Sequence, residues 1–321
     1  MTSIQYFEKK IYQGYLITKE EAFSLLSFPI KELCSAANRI RMHFCGSLFD
    51  LCSIINGKSG RCMEDCKYCA QSAYNHAKIE EYPLLDADKI ISQAAYNAAQ
   101  GVLRYSIVTS GRALEESEID SLCSCIQKIK EMLPIEVCVS LGLLNKEQYR
   151  RIFHAGAFRV HNNLETSESF FPNICTTHTF SEKISAIKAA KAAGMQVCSG
   201  GIIGLGETME DRVDLAISLR ELAVSSVPLN ILNPICGTPL EHQPPLSYEE
   251  ILRTVAVFRF LLPSAAIRLA GGRGLMPDKG KACFLSGANA AISGDMLTTS
   301  GITIENDMRI IRDCGFIPGF L

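Results

Sequence analysis

The chain has 321 residues, an apolar fraction of 47% and a formal net charge of −2. This length allows one large domain with a sizeable core, and the near-neutral charge argues against a nucleic-acid partner. No stretch approaches the roughly 20 apolar residues of a membrane span, and the first ten residues carry charges where a signal peptide has its apolar run. We therefore expect a cytoplasmic protein without a membrane partner.

The N-terminal part of the chain predicts amphipathic helices over residues 4–44. Thr18 is followed by Glu20 and Glu21, the pattern of a helix N-cap with acidic residues in the first turn. We expect three units: residues 1–45 form a helical cap, residues 46–297 form the main domain, and residues 298–321 form a segment packed on it.

The main domain alternates short apolar runs with helical stretches, the pattern of a parallel sheet covered by helices. This pattern predicts an α/β fold, a (β/α)8 TIM-type barrel whose active site lies at the carboxyl ends of the strands. A doubly wound sheet is the alternative, but no G-x-G-x-x-G opens a helix. Strands are predicted over 51–55, 103–108, 135–141, 157–160, 196–202, 227–232, 266–270 and 282–292, and helices over 86–99, 115–130, 181–193 and 210–223.

A loop directly after the first predicted strand contains Cys62, Cys66 and Cys69, in the spacing C-x3-C-x2-C. Thiolates are the usual ligands of iron–sulfur clusters, and three of them can hold a cubane cluster while leaving its fourth iron without a protein ligand. A zinc site completed by His76 is the alternative. The chain's 14 cysteines are dispersed, which favours metal chemistry over a disulfide framework.

This spacing, with Tyr68 before the third cysteine, resembles the radical S-adenosylmethionine superfamily. The resemblance implies a 4Fe-4S cluster on the three cysteines, S-adenosyl-L-methionine on the open iron, and a 5′-deoxyadenosyl radical formed by cleavage of a C–S bond. A glycine-rich turn containing Gly204 and Gly206 resembles the cofactor-binding turn of the superfamily, since glycine lets the backbone approach a ligand closely.

Four further motifs narrow the resemblance to the biotin synthase family. They are Glu-Val-Cys-Val-Ser-Leu-Gly from residue 136, Cys-Ser-Gly-Gly-Ile-Ile-Gly-Leu-Gly-Glu from residue 198, Ile-Arg-Leu-Ala-Gly-Gly-Arg from residue 267 and Ser-Gly-Ala-Asn-Ala from residue 286. The likeness spans about residues 51–299 and implies insertion of sulfur into dethiobiotin, with an auxiliary iron–sulfur cluster as the sulfur source.

Two other classes remain as alternatives. One is another radical barrel enzyme, of the hydrogenase maturase or methylornithine synthase type, that inserts no sulfur. The other is a protein without enzymatic activity, such as an iron–sulfur scaffold, an electron carrier or a zinc-binding protein.

The family holds its auxiliary cluster with three strand cysteines and one arginine, and Cys138, Cys198 and Arg268 match three of these positions. The fourth position is Ser106, and serine is a poor ligand for iron–sulfur clusters. We expect Cys52, on the adjacent first strand, to replace it, with Cys236 as the second candidate. The cluster is then 2Fe-2S or a larger variant. We also expect a buried acceptor beside Arg268.

Polar residues at the ends of other strands match the family's binding residues. The resemblance implies that Asn163 and Asn230 contact the substrate, and that the cofactor is bound by Tyr68, Asn163, Glu165, Lys183, Gly204 and Gly206. The expected partners are dethiobiotin, an electron donor such as flavodoxin or ferredoxin, iron–sulfur assembly proteins and a second copy of the chain in a homodimer. We assign no role to His178 or Cys175.

Overall fold

Nine parallel strand segments close into a barrel in the computed structural model, which describes residues 3–321. The last segment pairs with the first, with Asp50 aligned with Ala290. The predicted (β/α)8 barrel is therefore confirmed. The segments are β1 Leu48–Lys58, β2 Arg104–Thr109, β3 Glu136–Ser140, β4 Ala157–His161, β5 Gln196–Cys198, β6 Gly201–Ile203, β7 Ser226–Ile231, β8 Ala266–Leu269 and β9 Ala290–Ser293.

Helices cover the outside of the barrel. Several begin at a capping box, in which the N-cap side chain accepts from the third helical amide and the third side chain accepts from the N-cap amide; each such cap contributes about 1 kcal/mol. These reciprocal caps fix where the loops before these helices end at the barrel mouth. The outer helices are α4 Ala87–Ala99, α5 Glu116–Met132, α6 Lys146–His154, α7 Phe180–Ala192, α8 Met209–Glu221, α9 Tyr248–Leu261 and α10 Lys281–Phe284.

Two predicted strands differ from the structure. The fifth is divided at Gly200, where a β-carbon would lie 1.9 Å from the Pro228 carbonyl oxygen. The prediction over 282–292 was wrong in its first part, because residues 281–284 form α10. There Asp278 accepts hydrogen bonds from the amides of Gly280 and Ala282 and starts a helix, whereas a short apolar run alone fits either structure.

The N-terminal helices predicted from the sequence are confirmed as α1 Ile4–Tyr12, α2 Lys19–Leu25 and α3 Ile30–Cys45. Thr18 caps α2 in a capping box with Glu21, as predicted. Arg253 of α9 donates to the carbonyl oxygens of Leu26 and Phe28. These bonds fix the α2–α3 connection against the outside of the barrel.

The C-terminal segment packs on the barrel through α11 Ile304–Asp313 and the short strand β10 Ile317–Pro318. β10 pairs with the start of β1, where Leu48 is aligned with Ile317. Beyond β10, Phe320 lies against the guanidinium of Arg104 and the Leu321 carbonyl accepts from Arg159. The end of the chain therefore crosses the barrel at the amino ends of the strands, opposite the mouth. Within residues 3–321, no helix combines the length and apolar character needed to cross a membrane.

We expect the substitution Asp307→Ala to lower the free energy of unfolding by about 3–5 kcal/mol. Asp307 accepts two hydrogen bonds from Arg273, at 2.8 and 2.7 Å, and both side chains are buried. Its removal leaves the guanidinium unpaired between α11 and the barrel. Urea denaturation measures the change. Glu305→Ala, at an exposed site on the same helix, is the control and should cost less than about 0.5 kcal/mol; equal losses in both variants would contradict the prediction.

Candidate active site

The carboxyl ends of the strands surround a cavity of about 400 Å³ that extends into the barrel. Cys62 and Cys69 line its upper part, while Cys52, Cys138 and Cys198 line its lower part. The cavity therefore holds two separate groups of thiols at different depths. This is the arrangement expected for a radical-generating cluster above an auxiliary cluster.

Short polar contacts fix the shape of the loop that carries the upper thiols. Asn75 donates to the carbonyl oxygens of Cys66 and Cys69, and Gln71 accepts from the amide of Gly60. Within residues 3–321, the sulfurs of Cys62, Cys66 and Cys69 do not all lie within 4.8 Å of one another. Thiols spread this widely fit separate corners of a cubane better than one zinc ion.

Neighbouring strands place the deeper thiols in one layer. Ser106 of β2 is aligned with Cys138 of β3, and both are buried. Cys52 of β1 is also buried, and its sulfur accepts a hydrogen bond from Nη1 of Arg268 at 3.2 Å. Cys52, which we expected to take the place of a ligand at position 106, therefore contacts Arg268, the predicted arginine ligand.

A buried carboxylate lies below this layer. Asp50 is fully buried, and its oxygens accept from Arg268 at 2.9 Å and from Arg104 at 2.9 Å, with Arg159 3.8 Å away. Burial alone would raise the pKa of Asp50, but the three guanidinium groups hold it below its usual value. The expected acceptor beside Arg268 is thereby confirmed.

The charges below the thiols do not balance, because three guanidinium groups face one carboxylate. Nη1 of Arg104 and Nε of Arg159 are buried and have no hydrogen-bond partner. Unpartnered buried donors are costly unless an anionic group is bound near them. The cysteine layer above them fits an iron–sulfur cluster, whose thiolate ligands carry the missing negative charge.

The deep thiols differ in acidity. Burial raises the pKa of Cys52 to about 12 and that of Cys138 to about 11. Burial acts the same way on Cys198, but the hydrogen bond with His161 and the charge of Arg268 outweigh it and lower its pKa to about 6. Cys198 is therefore the most acidic of the three, and iron displaces a proton more readily from it than from the other two.

Polar side chains at the mouth lie beside the cavity, as predicted. Asn163 accepts from the amide of Gly200 at 3.0 Å and donates to Glu165 at 3.2 Å. Asn230 accepts from the amide of Gly271 at 2.9 Å and donates to the Gly201 carbonyl at 3.2 Å. These two asparagines line the cavity together with Tyr68, Glu165 and Lys183. Their backbone contacts fix the direction of both amides.

The predicted glycine-rich turn takes left-handed backbone angles, with φ of 97° at Gly204 and 101° at Gly206. A β-carbon at Gly204 would lie 3.2 Å from Leu246, and neither glycine lines the cavity. The turn therefore shapes the loop after β6. Contact of these two glycines with the cofactor stays a prediction.

Three residues near the upper loop had no predicted role. The sulfur of Cys175 lies 3.8 Å from that of Cys66 and 3.2 Å from Nδ1 of His178; Nδ1 of His178 also hydrogen-bonds Glu64. Cys175 and His178, to which we assigned no role, thus lie beside a predicted cluster ligand. Their C-x2-H spacing was the available signal. His76, considered as a zinc ligand, is exposed instead.

The barrel and its three-thiol loop define a radical S-adenosylmethionine enzyme. The family model of the Radical SAM superfamily matches residues 58–219, and that of the Biotin and Thiamin Synthesis associated domain matches residues 228–317. Among solved structures, methylornithine synthase aligns with a TM-score of 0.84 at 21% identity, covering 98% of this chain and 97% of that one. A maturase of the [FeFe]-hydrogenase aligns with a TM-score of 0.84 at 17% identity, covering 99% and 75%. These identities show a shared fold alone.

The chain belongs to the biotin synthase family. It is 58% identical to a biotin synthase of Clostridium botulinum over 98% of this chain and 99% of that protein. It is 56% identical to a biotin synthase of Brachyspira hyodysenteriae, over 98% and 94%. The resemblance read from the strand motifs is thereby confirmed, and the two alternative classes are not favoured.

We expect Asp50→Asn to destabilise the cluster-free chain by about 3–5 kcal/mol, because three buried guanidinium groups would lose the carboxylate that they share within residues 3–321. Urea denaturation measures the loss. Ser53→Ala is the control: Ser53 is buried on the same strand and its hydroxyl has no hydrogen-bond partner. A variant Asp50→Asn as stable as this control would show that the arginines do not depend on Asp50.

Proposed function

We propose that this chain forms biotin from dethiobiotin by inserting sulfur, with the upper thiols and the lower thiols in separate roles. The observation that carries the proposal is the layer of three buried thiols, with Arg268 in contact with Cys52, at the bottom of the same cavity that the three-thiol loop covers. Radical generation alone requires only the loop. A second thiol layer is what a sulfur-inserting enzyme needs in addition.

We assign the loop thiols Cys62, Cys66 and Cys69 to the 4Fe-4S cluster that, with S-adenosyl-L-methionine, supplies the 5′-deoxyadenosyl radical. Tyr68, Glu165 and Lys183 line the cavity beside this loop. The Glu165 carboxylate suits the paired hydroxyls of a ribose, and the ammonium of Lys183 suits a carboxylate. We keep Asn163, Gly204 and Gly206 as further cofactor residues.

The substrate assignment rests on the hydrogen-bond donors of Asn163 and Asn230 that no protein group uses. Each amide oxygen is occupied by a backbone amide, and one N–H of each already donates to a protein oxygen. One N–H remains on Asn163 and one on Asn230, and both residues line the cavity. Two N–H donors suit the carbonyl oxygen of a cyclic urea such as that of dethiobiotin.

The lower layer is assigned to the auxiliary cluster, with Cys52, Cys138, Cys198 and Arg268 as its ligands. Cys52 is preferred over Cys236 because Cys236 is exposed and does not line the cavity. The contact with Arg268 supports the same choice. Ser106, which is aligned with Cys138, is not proposed as a ligand. The cluster is 2Fe-2S or a larger variant.

The remaining expectations on partners and organisation are proposals as well. We propose a cytoplasmic protein that takes electrons from a flavodoxin or ferredoxin, receives its clusters from iron–sulfur assembly proteins and forms a homodimer. We also propose residues 1–45 as a cap, 46–297 as the barrel and 298–321 as the packed segment. The structure shows 14 free cysteines, which fits a compartment that keeps thiols reduced.

We expect Cys52→Ser to lose the auxiliary cluster and retain the loop cluster, because serine is a poor ligand for iron. Anaerobic reconstitution followed by iron and sulfide counting and Mössbauer spectra measures both clusters. Incubation with dethiobiotin, S-adenosyl-L-methionine and a reductant should then yield 5′-deoxyadenosine without biotin. Cys236→Ser is the matched control and should keep both clusters. An undiminished auxiliary cluster in Cys52→Ser would exclude Cys52 as a ligand.

We expect Asn230→Ala to raise the KM for dethiobiotin about 2- to 13-fold, the effect of losing one net hydrogen bond of about 0.5–1.5 kcal/mol. The KM for S-adenosyl-L-methionine should stay unchanged. Lys183→Ala should raise the KM for S-adenosyl-L-methionine and leave the KM for dethiobiotin unchanged, because we assign its ammonium to the cofactor side of the cavity. Steady-state kinetics on both substrates measure the two patterns. Equal changes in both KM values for each variant would contradict the assignment.

A further inference from the structure

The three loop cysteines differ in their surroundings. Cys62 and Cys69 line the cavity, whereas Cys66 does not. The sulfur of Cys66 lies beside Cys175 and His178, two residues that the proposed function does not use. Ligand atoms of these three residues all lie within 4.8 Å of one another. They are thus close enough to bind one ion.

We propose that Cys66, Cys175 and His178 form a second metal site, which binds one thiophilic divalent cation of the zinc class when the loop cluster is absent. Two thiolates and one imidazole are a ligand set that zinc prefers, with the fourth position left for water. Binding releases the protons of both thiols and involves no change of oxidation state.

The distances fit a tetrahedral ion. Two thiolate sulfurs bound to one zinc at about 2.3 Å stand about 3.8 Å apart, and a sulfur and an imidazole nitrogen stand about 3.6 Å apart. The sulfurs of Cys66 and Cys175 are 3.8 Å apart. The sulfur of Cys175 lies 3.2 Å from Nδ1 and 3.8 Å from Nε2 of His178. The sulfur–sulfur separation equals the tetrahedral value, and the separation of the Cys175 sulfur from Nε2 lies within about 0.2 Å of it.

The surroundings of His178 are those of a metal-binding histidine. Its Nδ1 hydrogen-bonds the carboxylate of Glu64, which leaves Nε2 available for an ion. Glu64 is held in turn by Thr177, at 2.6 Å, and by Arg112, at 3.1 Å. A carboxylate behind the histidine fixes the ring and increases its basicity, as in carboxylate–histidine–zinc arrangements.

A second carboxylate adds negative charge next to the site. Oδ1 of Asp65 lies 3.2 Å from the sulfur of Cys175 and accepts hydrogen bonds from the amides of Thr176 and Thr177. Cys175 and His178 are both buried. A cation in this position is therefore attracted by two fixed acidic side chains in a place of limited solvent access.

Because Cys66 belongs to both sites, the single ion and the loop cluster exclude each other. The ion therefore competes with assembly of the cluster in the cluster-free chain. Only this competition rests on the proposed function, since it requires that Cys66 holds the cluster. The cation site itself rests on Cys175, His178 and Glu64, so the two claims fail separately.

Titration of the cluster-free, full-length chain with Co²⁺ under anaerobic conditions tests the site. We expect one Co²⁺ per chain, with a thiolate-to-cobalt charge-transfer band of the intensity of two thiolates. Cys175→Ser should halve the band and weaken binding at least tenfold. His178→Gln should also weaken binding at least tenfold, and Glu64→Gln about 10- to 100-fold, the range for loss of such a supporting carboxylate.

Cys62→Ser and Cys69→Ser are the matched controls and should bind Co²⁺ as the unsubstituted chain does. Binding that is lost in these two variants and unchanged in Cys175→Ser would place the ion on the loop cysteines and overturn the proposal. Far-UV circular dichroism and thermal unfolding of every variant separate loss of the site from loss of the fold. A folded Cys175→Ser with an unaltered cobalt band would also overturn it.

A second measurement tests the competition. The chain is loaded with one equivalent of Zn²⁺ and then reconstituted with iron and sulfide. We expect the unsubstituted chain to lose most of the iron of the loop cluster and Cys175→Ser to take up this iron in full, as counted by Mössbauer spectra. Equal uptake by the two chains would contradict the competition, while the cobalt titration would still decide on the site.

Discussion

The packing of charged groups inside the barrel depends on the ion pairs between the buried carboxylate of Asp50 and three arginines. Asp50 lies on β1 and pairs with arginines from β2, β4 and β8, so one side chain connects four strands inside the barrel, in addition to the backbone ladders between neighbouring strands. Burying four charged groups is costly. The ionised carboxylate offsets part of this cost, and an anionic group bound above the arginines would offset more of it.

This constraint explains why the deep thiols occupy their particular positions. The arginines leave two positive charges uncompensated, and the cysteine layer lies directly on that side of them. Cys52 contacts Arg268 itself, while Cys198 is acidified by its neighbours. The lower half of the cavity is therefore suited electrostatically to a cluster, whereas the upper half combines the loop thiols with two amides, Glu165 and Lys183.

Much of the fold and of the active site could be predicted from the sequence. The alternation of strands and helices in the sequence predicted the barrel, and the C-x3-C-x2-C spacing predicted the loop that binds the radical-generating cluster. The division of the fifth strand could not be predicted, since it depends on how closely Gly200 approaches Pro228. The pairing of Cys175 with Cys66 was also beyond reach, because 109 residues separate them and only the folded loop brings them together.

The residues after β10 cross the barrel at the end opposite the mouth, with Phe320 against Arg104 and the Leu321 carbonyl on Arg159. Phe320 and Leu321 therefore lie over the arginine layer at this end of the barrel. The lower thiols and the residues at the mouth line one cavity. Under the proposed function, iron and sulfide for a new auxiliary cluster use the same opening as the substrate, so we expect bound organic ligands to slow the rebuilding of that cluster.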